Sequence, residues 1–183
     1  MASPEAYIAA AERATGTVDV IVGHSGAGAF LPSIAANTKA SATMFIDALV
    51  PDTGDVFKPS GRFIELLDAL PLSNGLLPPW NQWWPAEALE RLLPDDSLRR
   101  LVVSEIPRVP RSFYDAPVPL PEEWWNRPAA YLQLSLAYDE DRMRAQRWGW
   151  PTYQVLGDHL DLVSRPDAIA SIVIDLVATA HVE

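Results

Sequence analysis

The hydrophobic pattern along the chain is interrupted most sharply at Val18-Asp-Val-Ile-Val-Gly-His-Ser-Gly-Ala-Gly28. A run rich in β-branched residues halts at Gly23, and small residues continue through Ala36. This predicts a strand over 18–22, a sharp turn with Ser25 at its apex, and a helix close against a sheet. Further apolar runs at Lys39 to Asp47, Ala129 to Ala137 and Thr152 to Leu156 read as three more strands. Helices are expected over 4–14, with Ser3 as N-cap and Gly16 as stop, over 139–148 ending at Gly149, and over 166–178 opened by Ser164 and Pro166. The capped beginning favours Met1 as a natural start. A strand, a helix and a strand in succession demand a parallel pair with a right-handed crossover. The fold class is therefore α/β, in one domain spanning 1–183.

Between 51 and 128 the texture changes. Most of the 17 prolines fall there, with Trp80, Trp83, Trp84, Trp124 and Trp125, and strand-like alternation disappears. Short helices are expected at 61–70, 86–93 and 97–106, the last behind Asp95-Asp96. This reads as a helical, Pro/Trp-rich insertion of the kind that forms a cap or lid. Trp80, Trp83 and Trp84 are candidates to line an apolar cleft for an aromatic or acyl substrate. The plainer reading is that tryptophans hold a Pro-rich insertion together.

Composition narrows the chemistry. With 183 residues, 49% of them hydrophobic, the chain can bury a sizeable core. No apolar run approaches bilayer length and the N-terminus lacks the regions of a signal peptide, so the expected location is cytoplasmic. The absence of cysteine excludes disulfides and thiolate sites. Three scattered histidines, His24, His159 and His181, argue against a metal centre, and no cofactor is called for. A formal charge of −10 disfavours nucleic acid and anionic membranes. The expected partner is a small apolar molecule.

Ser25 at a strand-to-helix turn has the form of a nucleophile elbow, with glycines where flanking residues crowd together. The Gly26 N–H then faces the oxygen of any carbonyl that Ser25 attacks, as half of an oxyanion hole. A phosphate-binding loop is the competing reading, but no lysine lies near Gly28 and no Gly-x-Gly-x-x-Gly spacing is present. Serine needs a base, and His159 stands just past the last strand in Gly157-Asp-His-Leu-Asp-Leu-Val-Ser-Arg-Pro166. Two places offer the acid: Asp47, ending an apolar strand, and Asp139 in the Asp139-Glu140-Asp141 cluster, which also reads as an ordinary acidic first turn of a helix.

Val22-Gly-His-Ser-Gly26, Met44-Phe-Ile-Asp47 and the segment around His159 resemble the α/β-hydrolase superfamily, within it the small hydrolase-like proteins common in actinobacteria. The resemblance implies a truncated, mostly parallel sheet with flanking helices, Ser25 as nucleophile and His159 as base. It admits either Asp139 or Asp47 as the acid, with Asp47 preferred, and makes His24 a support of the elbow. His181, near the end, is expected to be solvated. Such proteins usually carry several strands before the elbow, one of whose loops supplies the second oxyanion donor; here a single short helix precedes it. The elbow strand is therefore expected at an exposed edge, covered by a homodimer or a complementing partner. Three functions compete: a serine hydrolase or thioesterase forming an acyl-Ser25 intermediate, an acyltransferase drawing on an acyl carrier protein, and a binding or scaffold protein that no longer turns over.

Overall fold

The computed structural model describes residues 3–180, so His181 lies outside the described residues. They divide into two compact units, 8–57 with 118–180 and 3–7 with 58–117.

In chain order, α1 (Pro4–Thr15) leads to β1 (Val20–Ser25), a 3-10 turn (Gly26–Phe30), α2 (Leu31–Thr38) and β2 (Ala42–Ala48). The short β3 (Val56–Phe57) precedes α3 (Gly61–Asp68), α4 (Ala86–Leu92) and α5 (Asp96–Glu105). Then come β4 (Val118–Pro119), β5 (Ala129–Gln133), α6 (Asp139–Arg147), β6 (Thr152–Gln154), α7 (Asp161–Ser164) and α8 (Pro166–Ala180).

The first unit is built on a four-stranded sheet in the order β1-β2-β5-β6, every pair parallel. Parallel strands direct their carboxyl ends to one edge, which is where loops can assemble a site. The central strands β2 and β5 are buried along their whole length. On one face, Met44, Ile46, Ala130, Leu132 and Leu134 pack against Ile169, Ile172, Val173 and Leu176 of α8. Phe45 stacks on Trp150 with ring centroids 5.2 Å apart, and Trp124 and Trp148 complete that aromatic group. Trp124 is thus a core residue of the α/β unit. β1 is an edge strand with Val22 half exposed, the surface that the expected homodimer would cover.

Local signals explain most element ends. Ser3 Oγ accepts from the Ala6 N–H at 3.2 Å, and Gly16 follows α1 at φ 59°. Ser60 and Asp95 cap α3 and α5 in the same way. The predicted helix after the elbow begins as a 3-10 turn, and α2 itself is short. Ser164 is not a cap for α8: it closes α7, its hydroxyl donating to Asp161 Oδ1 at 3.0 Å.

The second unit is helical and aromatic. Trp83 stands between Phe63 and Tyr114, with centroids 6.2 and 6.1 Å away, and its indole N–H donates to the Pro78 carbonyl at 2.8 Å. Arg111 bridges Asp68 and Asp115, each at 2.7 Å. No described helix is long and apolar enough to cross a membrane.

Candidate active site

β1 ends in Ser25, held at φ 58° and ψ −131°. A non-glycine residue in that region stores about 1–3 kcal/mol of backbone strain, and surrounding contacts must hold it there. One such contact comes from the Leu49 N–H, which donates to the Ser25 carbonyl at 3.0 Å, where the β1–β2 register shifts. A Cβ on Gly28 would run into the Leu49 carbonyl oxygen, and one on Gly23 would sit 2.8 Å from the Leu31 side chain. Close approach therefore explains a glycine at 28, one place later than the usual pattern. It does not explain Gly26, whose Cβ would meet nothing within 4 Å; crowding on both sides of Ser25 is the part of the sequence reading that needs correction.

Asp47, the next-to-last residue of β2, is at φ 41° and fully buried. Its Oδ1 accepts from the Leu134 and Ser135 N–H groups, both at 2.9 Å, and its Oδ2 from Ser135 Oγ and His159 Nδ1, both at 2.6 Å. Burial pushes the carboxyl up, but the hydrogen bonds from His159 and Ser135 and from the two backbone groups outweigh it and hold the group below its ordinary value. Those backbone bonds also end β5 at Gln133, four residues before the predicted end, because Leu134 and Ser135 turn their N–H groups to a carboxylate instead of a strand. Tyr131 ties β5 to the end of β2: its hydroxyl donates to the Ala48 carbonyl at 2.9 Å and accepts from the Ala48 N–H at 3.1 Å.

The alternative acid is engaged elsewhere. Asp139 is 42% exposed and pairs with Arg142 at 2.7 Å, one turn along α6. That ion pair lowers its pKa. Asp141 of the same cluster is buried and accepts from the Val50 N–H at 2.8 Å, so it braces the loop after β2. Of the two candidates, Asp47 is the one brought to His159.

His159 lies in the loop between β6 and α7, and Asp47 accepts the proton on Nδ1, leaving Nε2 with its lone pair. Its backbone carbonyl accepts from His24 Nε2 at 2.9 Å, and the two imidazoles lie 4.3 Å apart. Burial first, then the charge of His159, push His24 down to about 4, so it is a neutral donor at neutral pH. Asp161, paired with Arg165, accepts from the Asp158 N–H at 2.8 Å and occupies the space that a Cβ on Gly157 would need.

Ser25 Oγ is hydrogen-bonded to the Tyr138 hydroxyl at 3.0 Å. The Tyr138 ring stacks on His159, centroids 5.1 Å apart and planes 12° from parallel. Burial pushes the phenol up to about 12. Among the described residues, His159 Nε2 makes no hydrogen bond. A nucleophile–base bond that forms only when substrate arrives is common in unliganded sites.

The known pattern of the Alpha/beta hydrolase family matches residues 2–172. The chain belongs to that family. A search of the curated proteins found no match. Among solved structures, this α/β-hydrolase is similar to an extracellular alpha/beta-hydrolase from a Paenibacillus species, with TM-score 0.66 and 16% identity over 98% of this chain and 78% of that one. It is similar also to a methylesterase from Arabidopsis, with TM-score 0.60 and 15% identity over 90% and 70% of the two chains. A variant of the pyrethroid hydrolase PytH aligns at TM-score 0.64 and 14% identity, over 100% and 80%. At such identities the likeness carries the fold.

Sequence reasoning about this hydrolase missed Ser135, Tyr131 and Tyr138. For Ser135 the signal was a polar break at the carboxyl end of an apolar strand, Gln133-Leu-Ser135. In the helical unit, Trp80 and Trp84 border a cleft of about 260 Å³ with Asn81, Leu89 and Leu92, whereas Trp83 belongs to the aromatic cluster with Phe63 and Tyr114. No group of three or more His, Cys, Asp or Glu side chains suited to a metal ion occurs among the described residues.

Proposed function

We propose that the chain is a serine hydrolase of small apolar carboxylic esters and thioesters that works through an acyl-Ser25 intermediate. The observation that carries this is the 2.6 Å bond between His159 Nδ1 and the buried Asp47, beside a serine in strained elbow geometry. Asp47 fixes the tautomer and stabilises the imidazolium that forms; Nε2 is thereby left as the base. Ser25 Oγ attacks the carbonyl carbon as its proton passes to Nε2, and the carbonyl pair moves onto oxygen. The Gly26 N–H, first in the turn and lacking an intrahelical acceptor, is the donor nearest the nucleophile in sequence. Collapse expels the alcohol or thiol, which takes the proton from His159, and water repeats the sequence on the acyl-enzyme. A methylesterase among the structural neighbours points to the same kind of bond.

The test is intact mass after a fluorophosphonate probe, with p-nitrophenyl butyrate turnover alongside. One adduct per chain is expected, lost in Ser25→Ala and His159→Ala, with turnover lowered by at least about ten-thousandfold in each. A folded wild-type chain that neither labels nor turns over leaves the binding or scaffold reading in its place. An added thiol or amine that captures the acyl group faster than water shifts the assignment to acyl transfer.

A further inference from the structure

Ser25 is engaged in this structure by a side chain that the Ser–His–Asp scheme does not use. Tyr138 reaches Oγ at 3.0 Å, and three things hold it there. Its ring is stacked on His159. It ends the short 3-10 turn Leu136–Tyr138, which follows directly on Ser135. Ser135 is tied through both its N–H and its hydroxyl to Asp47. One carboxylate thus positions the imidazole and the turn that carries the phenol. A hydroxyl built in this way beside a nucleophile can act as base, as a bolt on the resting serine, or as donor. The first fails, because a phenol pushed up to about 12 keeps its proton at neutral pH. Either hydroxyl can donate in the resting bond, but once Oγ has given its proton to His159 the phenol is the proton-bearing partner, and the oxyanion of acyl transfer forms on the carbon bonded to Oγ.

Resting on the acyl-serine reading above, we infer that Tyr138 is a further catalytic residue, whose O–H donates to the substrate carbonyl oxygen as it becomes an oxyanion, alongside the Gly26 N–H. In the attack, the bond from Oγ to carbon forms, the carbonyl π pair moves to oxygen, and the Ser25 proton goes to His159 Nε2. Tyr138 keeps its proton throughout and moves its hydrogen bond from Oγ to the new oxyanion. On collapse the pair returns, the bond to the leaving oxygen or sulfur breaks, and His159 supplies the proton. This gives the site a second donor from the turn after β5.

Tyr138→Phe tests it, because phenylalanine keeps the ring and its stack on His159 and removes only the O–H. The readouts are kcat and KM for p-nitrophenyl butyrate and inhibition by an aryl trifluoromethyl ketone, whose adduct with Ser25 carries an oxyanion. A fall in kcat of about a hundredfold is expected, with KM nearly unchanged and the ketone weakened by a similar factor. The thermal melt should stay near wild type, which separates this from a loss of folding. Unchanged or higher kcat with undiminished ketone binding makes the phenol a bolt on the resting serine and overturns the inference, while the hydrolase reading stands. Wild-type protein without turnover or ketone binding overturns both.

Discussion

The two units of the chain use their polar residues in opposite ways. Every buried polar or charged residue among those described, namely Ser33, Thr43, Asp47, Gln133, Asp141 and Asp161, belongs to the α/β unit. In the helical unit the carboxylates that form ion pairs are open to solvent, with Asp68, Asp96 and Asp115 each at least 60% exposed, and its interior is leucine and aromatic rings. Burying a carboxylate is costly unless donors surround it, so a unit that does so repeatedly has committed backbone geometry to the task. Each buried acid of the α/β unit holds a loop: Asp47 the turn after β5, Asp141 the loop after β2, Asp161 the loop after β6. These loops carry Ser135, Val50 and Asp158, and the first and last lead directly to Tyr138 and His159. The side chains of the proposed chemistry therefore lie in the unit whose polar groups are preorganised.

The contrast makes its strongest claim at Asp47. Asp47→Asn should lower kcat by about a thousand- to ten-thousandfold, because an amide cannot hold the Nδ1–H tautomer or stabilise the imidazolium. Asp139→Asn and Asp68→Asn remove exposed carboxylates and should leave kcat within about twofold. Esterase kinetics on the three purified variants decide it; equal losses in Asp47→Asn and Asp139→Asn would return the acid to the helix.

In the helical unit the corresponding test is of packing. Trp83→Ala should cost about 2–3 kcal/mol in urea unfolding, since the indole fills the space between Phe63 and Tyr114 and satisfies the Pro78 carbonyl. Trp84, 40% exposed, should cost less than about 1 kcal/mol when truncated. If Trp83→Ala leaves stability intact but raises KM, the indole serves substrate and the contrast between the units is weaker than drawn.

How far the sequence could carry this depended on whether a feature was local. The positions of β1, β2, β5, α1, α6 and α8 followed from apolar runs, caps and glycine stops, and all lie close to where periodicity put them. The elbow was legible because its strained turn leaves a glycine signature. The end of β5 was not, since the N–H groups of Leu134 and Ser135 are claimed by a carboxylate some 87 residues away in the chain. A second long-range bond, from His159 Nδ1 to the same carboxylate, separates Asp47 from Asp139, two acids that look alike until a partner is in place. Tyr138 was invisible for a related reason: nothing in Leu136-Ala-Tyr138 distinguishes a helix lead-in from a turn that reaches a nucleophile. The pairs β3 and β4, two residues each, are too short for a period to show.

The smallest expected effect is one of pH on stability, and it again falls on the α/β unit. His24 titrates at about 4 in the folded chain against an ordinary 6.5, owing first to burial and then to the neighbouring His159. Between those values the unfolded chain takes up a proton that the folded chain refuses, so stability falls as pH falls from 6.5 toward 4. The full difference amounts to about 3 kcal/mol, approached only near the lower end of that window and therefore about 1 kcal/mol around pH 5.5. Asp141 works the other way: its carboxyl is raised by burial, and the folded state gains relative stability as acid protonates it. Comparing wild type with His24→Gln removes that opposing contribution, because both chains keep Asp141. Glutamine retains an N–H that can donate toward the His159 carbonyl but does not titrate, so its urea midpoint should be flatter than wild type between pH 6.5 and 4. Parallel curves would mean that His24 takes its proton at an ordinary pH and is freer than its bond to the His159 carbonyl requires. The mooring of the loop that carries the proposed base would then have to rest on Asp47 and Asp161 alone.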